Sequence, residues 1–262
     1  MKCRLCNDTN LSIYYRQGNK DQFIFYKCNN CKLVNLDLAN LNHINNQKKY
    51  ATEYIDPFDT KKNKGTINTY CFIKKNNLPK GKFLDIGCGN GSLLHYAHKD
   101  GWEVKGLELS EKLAEQVNSV LNIKVDVKNF QEIENFQEKF DLISLRHVLE
   151  HLPDSISAMN NISKLLNDDG YALLEFPNIN SISFKTKLFM TKLNLYKKKY
   201  PVDYRPGHCN EFSRESFSYL IDKCNFRLVK WESYSTKAIF NFLYNHIHHG
   251  TKVRALIQKI TI

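Results

Sequence analysis

From residue 82 to residue 176 the chain alternates short apolar runs with longer stretches whose apolar positions recur at helical spacing. The runs at 83–86, 103–109, 123–127, 140–145 and 171–176 predict strands, and 92–99, 111–120 and 156–166 predict helices. Strand and helix in alternation predict an α/β architecture, a Rossmann-like parallel sheet with helices on both faces. A helix over 62–76 leads into it. Past Pro177 the rhythm breaks into a basic, aromatic stretch that runs to Pro206. A helix at 213–224, capped by Ser213, and a strand at 226–234 follow, and would complete the sheet at one edge. A last helix is expected within 241–262.

The first 40 residues have a different pattern. Two hairpin-like segments, with strands near 13–15 and 23–26, lie between Cys3-x2-Cys6 and Cys28-x2-Cys31. Two thiolate pairs at this spacing match a tetrahedral zinc ribbon, in which Cys3, Cys6, Cys28 and Cys31 fill every position and leave none for water. A module of about 40 residues buries too little apolar surface to hold itself together, so the expected Zn2+ is structural. Redox chemistry is the rival reading of any CxxC. Cys71, Cys88, Cys209 and Cys224 read as buried thiols. The expected layout is a zinc module at 1–40, a polar linker and helix at 41–80, a catalytic domain at 81–240 with a basic insertion at 183–206, and the final helix.

Composition narrows the setting. Hydrophobic residues are 42% of 262, and no run approaches the ~18 apolar residues of a membrane span. Met1-Lys2-Cys3-Arg4 opens without an apolar leader, so a cytoplasmic location is expected. The formal net charge of +11 suits an anionic partner: nucleic acid, a phosphorylated metabolite or a membrane surface. Lys, Asn and Ile are abundant throughout, so a merely solvated basic surface is the alternative.

The densest chemical signal is Phe83-Leu84-Asp85-Ile86-Gly87-Cys88-Gly89-Asn90-Gly91, a strand that enters three glycines and then a helix. Glycine lets the backbone turn sharply and approach a ligand closely. A second strand ends at Glu108, 23 positions after Asp85, near the ~20-residue interval at which an acid holds ribose hydroxyls. Open α/β sheets bind ligands at the carboxyl ends of their strands, where the strand order reverses, and that point falls beside the first strand. A purely structural tight turn is the plainer reading of the glycines. Asp85 argues against it: a carboxylate there repels a pyrophosphate and suits the cationic amino group of a methionine moiety, so S-adenosylmethionine (SAM) fits better than NAD.

These motifs, together with Gly106-Leu107-Glu108-Leu109-Ser110 and Phe140-Asp141-Leu142-Ile143, resemble class I SAM-dependent methyltransferases. The resemblance implies that Asp85, Gly87 and Gly89, in one loop with Cys88 and Gly91, meet the methionine end of the cofactor. It implies that Glu108, with Leu109 beside it, meets the ribose, and that Asn129 and Phe130 sit by the adenine. Many members have Asp where Asn129 stands, and Phe130 reads equally as core. Arg146-His147-Val148-Leu149-Glu150-His151-Leu152-Pro153-Asp154 resembles the loop after the fourth strand in small-molecule members. Arg146 and His147 would border the cofactor, while Glu150 and His151 orient the loop. His147 and His151, four apart, form an alternative metal pair.

Methyl transfer to a hydroxyl leaves S-adenosylhomocysteine and needs alignment and a base that titrates near the working pH. His147 and His208, the latter in Pro206-Gly207-His208-Cys209-Asn210-Glu211, are the two candidates; a buried or capping role is the alternative for His208. A zinc module ahead of such a core resembles bacterial enzymes that methylate sugars and related intermediates of surface-polysaccharide or natural-product pathways. Longer members carry a further C-terminal domain that this sequence lacks, which favours O- over C-methylation. Residues 184–205 interleave Lys185, Lys187, Lys192, Lys197, Lys198, Lys199 and Arg205 with Phe184, Leu188, Phe189, Leu193, Leu195 and Tyr196. They read as an amphipathic helix that covers the acceptor pocket and holds a phosphate or nucleotide group. Peripheral membrane contact and a solvated helix are the alternatives. The expected reaction is O-methylation of a small anionic acceptor for surface glycan synthesis. An RNA methyltransferase, disfavoured by the lack of an Asn-Pro-Pro-Tyr-type loop, and a non-catalytic SAM-binding protein are the rivals. Oligomeric state is open, and His246, His248 and His249 read as surface residues.

Overall fold

The structure, a computed structural model, describes residues 1–39, 56–130, 138–235 and 248–260. The polar linker that opens the 41–80 segment, up to residue 55, and His246 lie outside these residues.

The N-terminal segment folds as strands β1 (Leu11–Gln17), β2 (Phe23–Cys28) and β3 (Val34–Leu36), all antiparallel. A fourth strand comes from far along the chain: β9 (Asn210–Glu211) pairs antiparallel with β3. Arg4 secures the join, its guanidinium donating to Asn210 Oδ1 (3.1 Å), the Leu36 carbonyl (2.8 Å) and the Cys209 carbonyl. The N-terminal module is therefore built into the rest of the chain.

Helix α1 (Lys64–Lys75) precedes the main sheet. In chain order there follow β4 (Lys82–Ile86), α2 (Ser92–Lys99), β5 (Glu103–Glu108), α3 (Glu111–Leu121), β6 (Val125–Val127), β7 (Phe140–Arg146), α4 (Ser155–Leu165) and β8 (Leu166–Pro177). After α5 (Ile182–Lys192) and β9 come α6 (Arg214–Lys223), β10 (Phe226–Tyr234) and β11 (Lys252–Lys259). The main sheet runs β10-β11-β8-β7-β4-β5-β6. Pairings among β4 to β8 are parallel, while β11 runs antiparallel to both β8 and β10. Because β5 and β6 build outward from one side of β4 and β7 returns to its other side, the order reverses at β4 and β7, and a crevice opens at their carboxyl ends.

Successive β4 side chains feed opposite cores, as the period of a strand requires. Phe83 packs with Tyr70, Phe72 and Leu93 under α1 and α2. Leu84 and Ile86 face Met159, Ile162, Phe212 and Phe217 under α4 and α6, in a core continuous with Cys28 and Leu33 of the N-terminal module. Ser213 caps α6 with a reciprocal pair of bonds to Ser216.

Three expectations need correction. Cys71, on α1, is exposed rather than a buried thiol. The chain's last described element is a strand, not a helix within 241–262: residues 253–258 are buried on both faces of the sheet. Burial on two sides suits the near-continuous run Val253-Arg254-Ala255-Leu256-Ile257, whose one charge, Arg254, has a buried carboxylate to meet. The basic segment is helical only to Lys192. Asn194 then takes a left-handed φ of 58° and Pro201 and Pro206 forbid resumption, so the remainder is loop.

Candidate functional site

At the end of β4 the backbone turns through Gly87 (φ 69°), Gly89 (φ 56°) and Gly91 (φ 72°) into α2. Gly91 permits no side chain: a Cβ there would fall 2.7 Å from Val117. Gly89 is the opposite case, since among the described residues nothing lies within 4 Å of where its Cβ would point. The loop thus presents bare backbone to open space. Glu108, 7% exposed, fastens the loop by accepting from the backbone nitrogens of Gly89 (2.9 Å), Leu109 (2.8 Å) and Ser110 (3.0 Å). Leu109 is half exposed, Cys88 is a buried thiol whose pKa burial raises, and Asn129 is half-buried. Phe130 is core, packed with Leu84, Ile86 and Leu107.

Asp85 is 2% exposed and accepts the Ser144 hydroxyl. Burial pushes its carboxyl up to about 6 against the pull of Ser144 and Arg146, with Glu108 and Glu175 adding to the rise. A buried carboxylate held so far above its ordinary range lacks a sufficient cation, and a cationic ligand is what would complete it.

Arg146 closes β7, and its guanidinium is engaged with Glu175 (2.7 Å) and Thr66 (3.1 Å). Glu175, buried on β8, also accepts from Thr69 (3.0 Å) and Tyr234 and lies 3.6 Å from Arg254 of β11. Burial raises the Glu175 pKa, yet Arg146 and Arg254 outweigh it and hold the group below the ordinary range. Sequence reasoning missed Glu175 and Arg254. They belong to no motif and meet only because β11 enters the sheet beside β8.

The two candidate bases have different surroundings. His147 sits in the left-handed region (φ 57°), with Lys252 Nζ donating to Nε2 (3.1 Å) and Nδ1–H donating to Glu150 Oε1 (3.2 Å). Both nitrogens are committed. His208 instead lines a cavity of about 770 Å³ together with His151, Tyr15, Glu211 and Asn178. Burial lowers the His208 pKa, but Glu211, with its Oε1 3.8 Å from Nδ1, and Glu150 raise it further, so the net direction is up. The metal pair envisaged from the four-residue spacing does not form through His147; His151 stands edge-on to His208, ring centroids 4.9 Å apart. The 3-10 turn Leu149–His151 joins the two regions: Val148 lies where a Gly87 side chain would be, and His151 lines the cavity.

Two structural layers wall this cavity. Tyr14, Tyr15 and Arg16 of β1 form one side, and Lys187, Lys192, Lys197, Lys198 and Arg205 line another. Phe184 of α5 packs edge-on against Tyr15 (5.3 Å), which anchors the basic segment to the N-terminal sheet. His248 and His249 are half-buried rather than surface residues, with His249 Nδ1 donating to the Asn180 carbonyl (2.8 Å).

The four N-terminal cysteine sulfurs lie within 4.8 Å of one another, with Cys3–Cys31 and Cys6–Cys28 each at 3.5 Å. Zinc–sulfur bonds of about 2.3 Å imply edges near 3.8 Å in a tetrahedron, so the donor set fits zinc. Among the described residues no helix is long and apolar enough to cross a membrane.

A profile described as a methyltransferase domain matches residues 43–230. The ubiquinone biosynthesis O-methyltransferase of Coxiella burnetii (strain Dugway 5J108-111) is 32% identical over 124 residues, 45% of this chain and 52% of the relative. The chain spans about half the length of the curated relatives it matches. Among solved structures, a protein from Pyrococcus horikoshii OT3 superposes with a TM-score of 0.60 at 14% identity, covering 82% of this chain and 99% of its own. The N-methyltransferase NodS from Bradyrhizobium japonicum WM9, in complex with S-adenosylhomocysteine, does so with a TM-score of 0.57 at 11% identity, covering 84% and 100%. Fold, crevice and profile agree: the chain belongs to the methyltransferase domain family.

Proposed function

We propose that the chain O-methylates a small anionic acceptor, a phosphorylated or nucleotide-linked sugar or a comparable hydroxyl compound of surface-glycan synthesis, bound in the cavity between β1 and the basic segment. The observation that carries this reading is the cavity wall itself, in which five cations line one side and aromatic β1 residues another, with His208 at hand. Lysine and arginine recognise phosphate, and tyrosine faces suit a sugar or base. The O-methyltransferase relatives favour oxygen as the acceptor atom.

SAM supplies an electrophilic methyl on a sulfonium. Asp85 takes the cationic methionine end and Glu108 the ribose, with Gly87 and Gly89 giving the close backbone approach and Asn129 flanking the adenine. Arg146, fixed by Glu175 and Thr66, holds the end of β7 in place where it borders the cofactor. The acceptor hydroxyl loses its proton at the His208 end of the cavity, not at His147. With SAM bound, that oxygen would be aligned to take the methyl, the S–CH3 electron pair remaining on sulfur. Cys3, Cys6, Cys28 and Cys31 hold a structural zinc that keeps β1, and with it one cavity wall, in place.

The test is transfer of labelled methyl from SAM into a host-cell extract, followed by anion exchange and phosphatase treatment. Label on small anions that phosphatase releases is expected; label in RNA, protein or neutral metabolites overturns the reading.

A further inference from the structure

Beside the cavity, three donor side chains converge from segments far apart in sequence. Glu150 and His151 end the turn after β7, and His208 arrives just before β9. One carboxylate oxygen and two imidazole nitrogens, one from each, lie within 4.8 Å of one another.

Two further observations point to an ion. Glu150 is 1% exposed; its Oε1 accepts from His147, but Oε2 is buried with no hydrogen-bond partner. A carboxylate oxygen is not left in that state without cost, and a cation beside it would remove the cost. Both imidazoles are also held from behind. The Gly207 carbonyl can only accept, so His151 Nδ1 carries the proton (3.0 Å) and Nε2 is its lone-pair nitrogen. His208 Nδ1 is directed at Glu211 Oε1 (3.8 Å). A carbonyl or carboxylate behind the ring is how metal-binding histidines are oriented.

We propose that Glu150, His151 and His208 bind a divalent transition-metal ion at the end of the cavity, as a two-histidine, one-carboxylate face whose remaining positions open to the acceptor. Ligands about 2.1 Å from an ion lie roughly 3 Å apart on such a face, so the observed spacing closes with small side-chain rotations. The site is chemically distinct from the four-thiolate cluster, being nitrogen and oxygen only. Its use rests on the O-methylation proposed above: an acceptor hydroxyl coordinated there gives its proton to water more readily. With the ion present His208 is a ligand, and the proton-handling role passes from its ring to the metal-bound oxygen.

Mn2+ discriminates the two sites, since it prefers nitrogen and oxygen donors to thiolates. The full chain, with zinc supplied to its cysteines, is titrated with Mn2+ while the electron paramagnetic resonance signal of free Mn2+ is followed. Wild type should remove a single equivalent. Glu150→Gln and His208→Gln should weaken binding by roughly 100-fold or more, and Glu211→Gln by about tenfold, as an outer partner does. S-adenosylhomocysteine binding verifies that each variant is folded. An undiminished free Mn2+ signal with wild type, or equal uptake by folded Glu150→Gln and His208→Gln, overturns the metal site. Mn2+ uptake without any methyl transfer leaves the ion site standing and sinks the proposed function; methyl transfer without Mn2+ uptake does the reverse.

Discussion

Substituting Asp85 by Asn should move stability and cofactor affinity in opposite directions. The carboxyl is 2% exposed and rises from an ordinary 3.8 to about 6, chiefly through burial. That difference corresponds to about 3 kcal/mol. Between those pH values the native chain keeps a proton that the unfolded chain has released, so stability falls as pH rises through the window, and by pH 7 the whole cost is present. Asn keeps the shape and can still accept the Ser144 hydroxyl. With the charge removed, the ligand-free protein should gain about 1–3 kcal/mol, which at about 2–4 °C per kcal/mol raises Tm by several degrees. The same change deletes a charge-assisted contact of about 1.5–3 kcal/mol, weakening S-adenosylhomocysteine roughly 10- to 150-fold. Wild-type affinity should also fall as pH drops below about 6, whereas that of the variant should not. Melting curves without ligand and calorimetric titrations across pH 5–8 measure both sides. An Asn variant that melts lower and binds as tightly as wild type would refute the assignment of Asp85 to a cationic ligand.

Glu175→Gln should cost about 3–5 kcal/mol, because Arg146 and Arg254 lose the carboxylate they share. As a group held below its ordinary 4.5, Glu175 stabilises the fold above that value and ceases to as pH falls through its native pKa, so urea midpoints of wild type and variant should converge in acid. In label-transfer assays His208→Ala should lower the rate by about 10²–10⁴ and His147→Ala by less than tenfold; the reverse order would return the proton-handling role to His147. Cys28→Ser, or a strong chelator, should lower Tm by about 10 °C, the effect of losing a metal present at 1,000 times its Kd, about 4 kcal/mol. Unchanged melting would remove zinc from the N-terminal module.

The sheet was legible where one segment carries its own signal. Strands β4, β5 and β7 are apolar runs next to turn residues, and Asp85 and Glu108 are visible because the glycines fix their places at strand ends. Strand β11 was not legible, because Arg254 and Gln258 interrupt its apolar run and their partners, Glu175 and Arg227, lie on other strands. The cavity was half legible. The basic residues are conspicuous in sequence, but that β1 forms the facing wall depends on β9 pairing with β3, a contact between residues 34–35 and 210–211. The same pairing brings His208 to His151, which no spacing rule applied to one segment anticipates.

The most direct test of oxygen methylation in the β1-walled cavity is to supply SAM with a 13C-labelled methyl and read the carbon chemical shift of the product. A methyl on the oxygen of an anionic small molecule, formed by wild type and lost with His208→Ala, is the predicted result. A methyl on nitrogen or carbon, or on RNA, would contradict it.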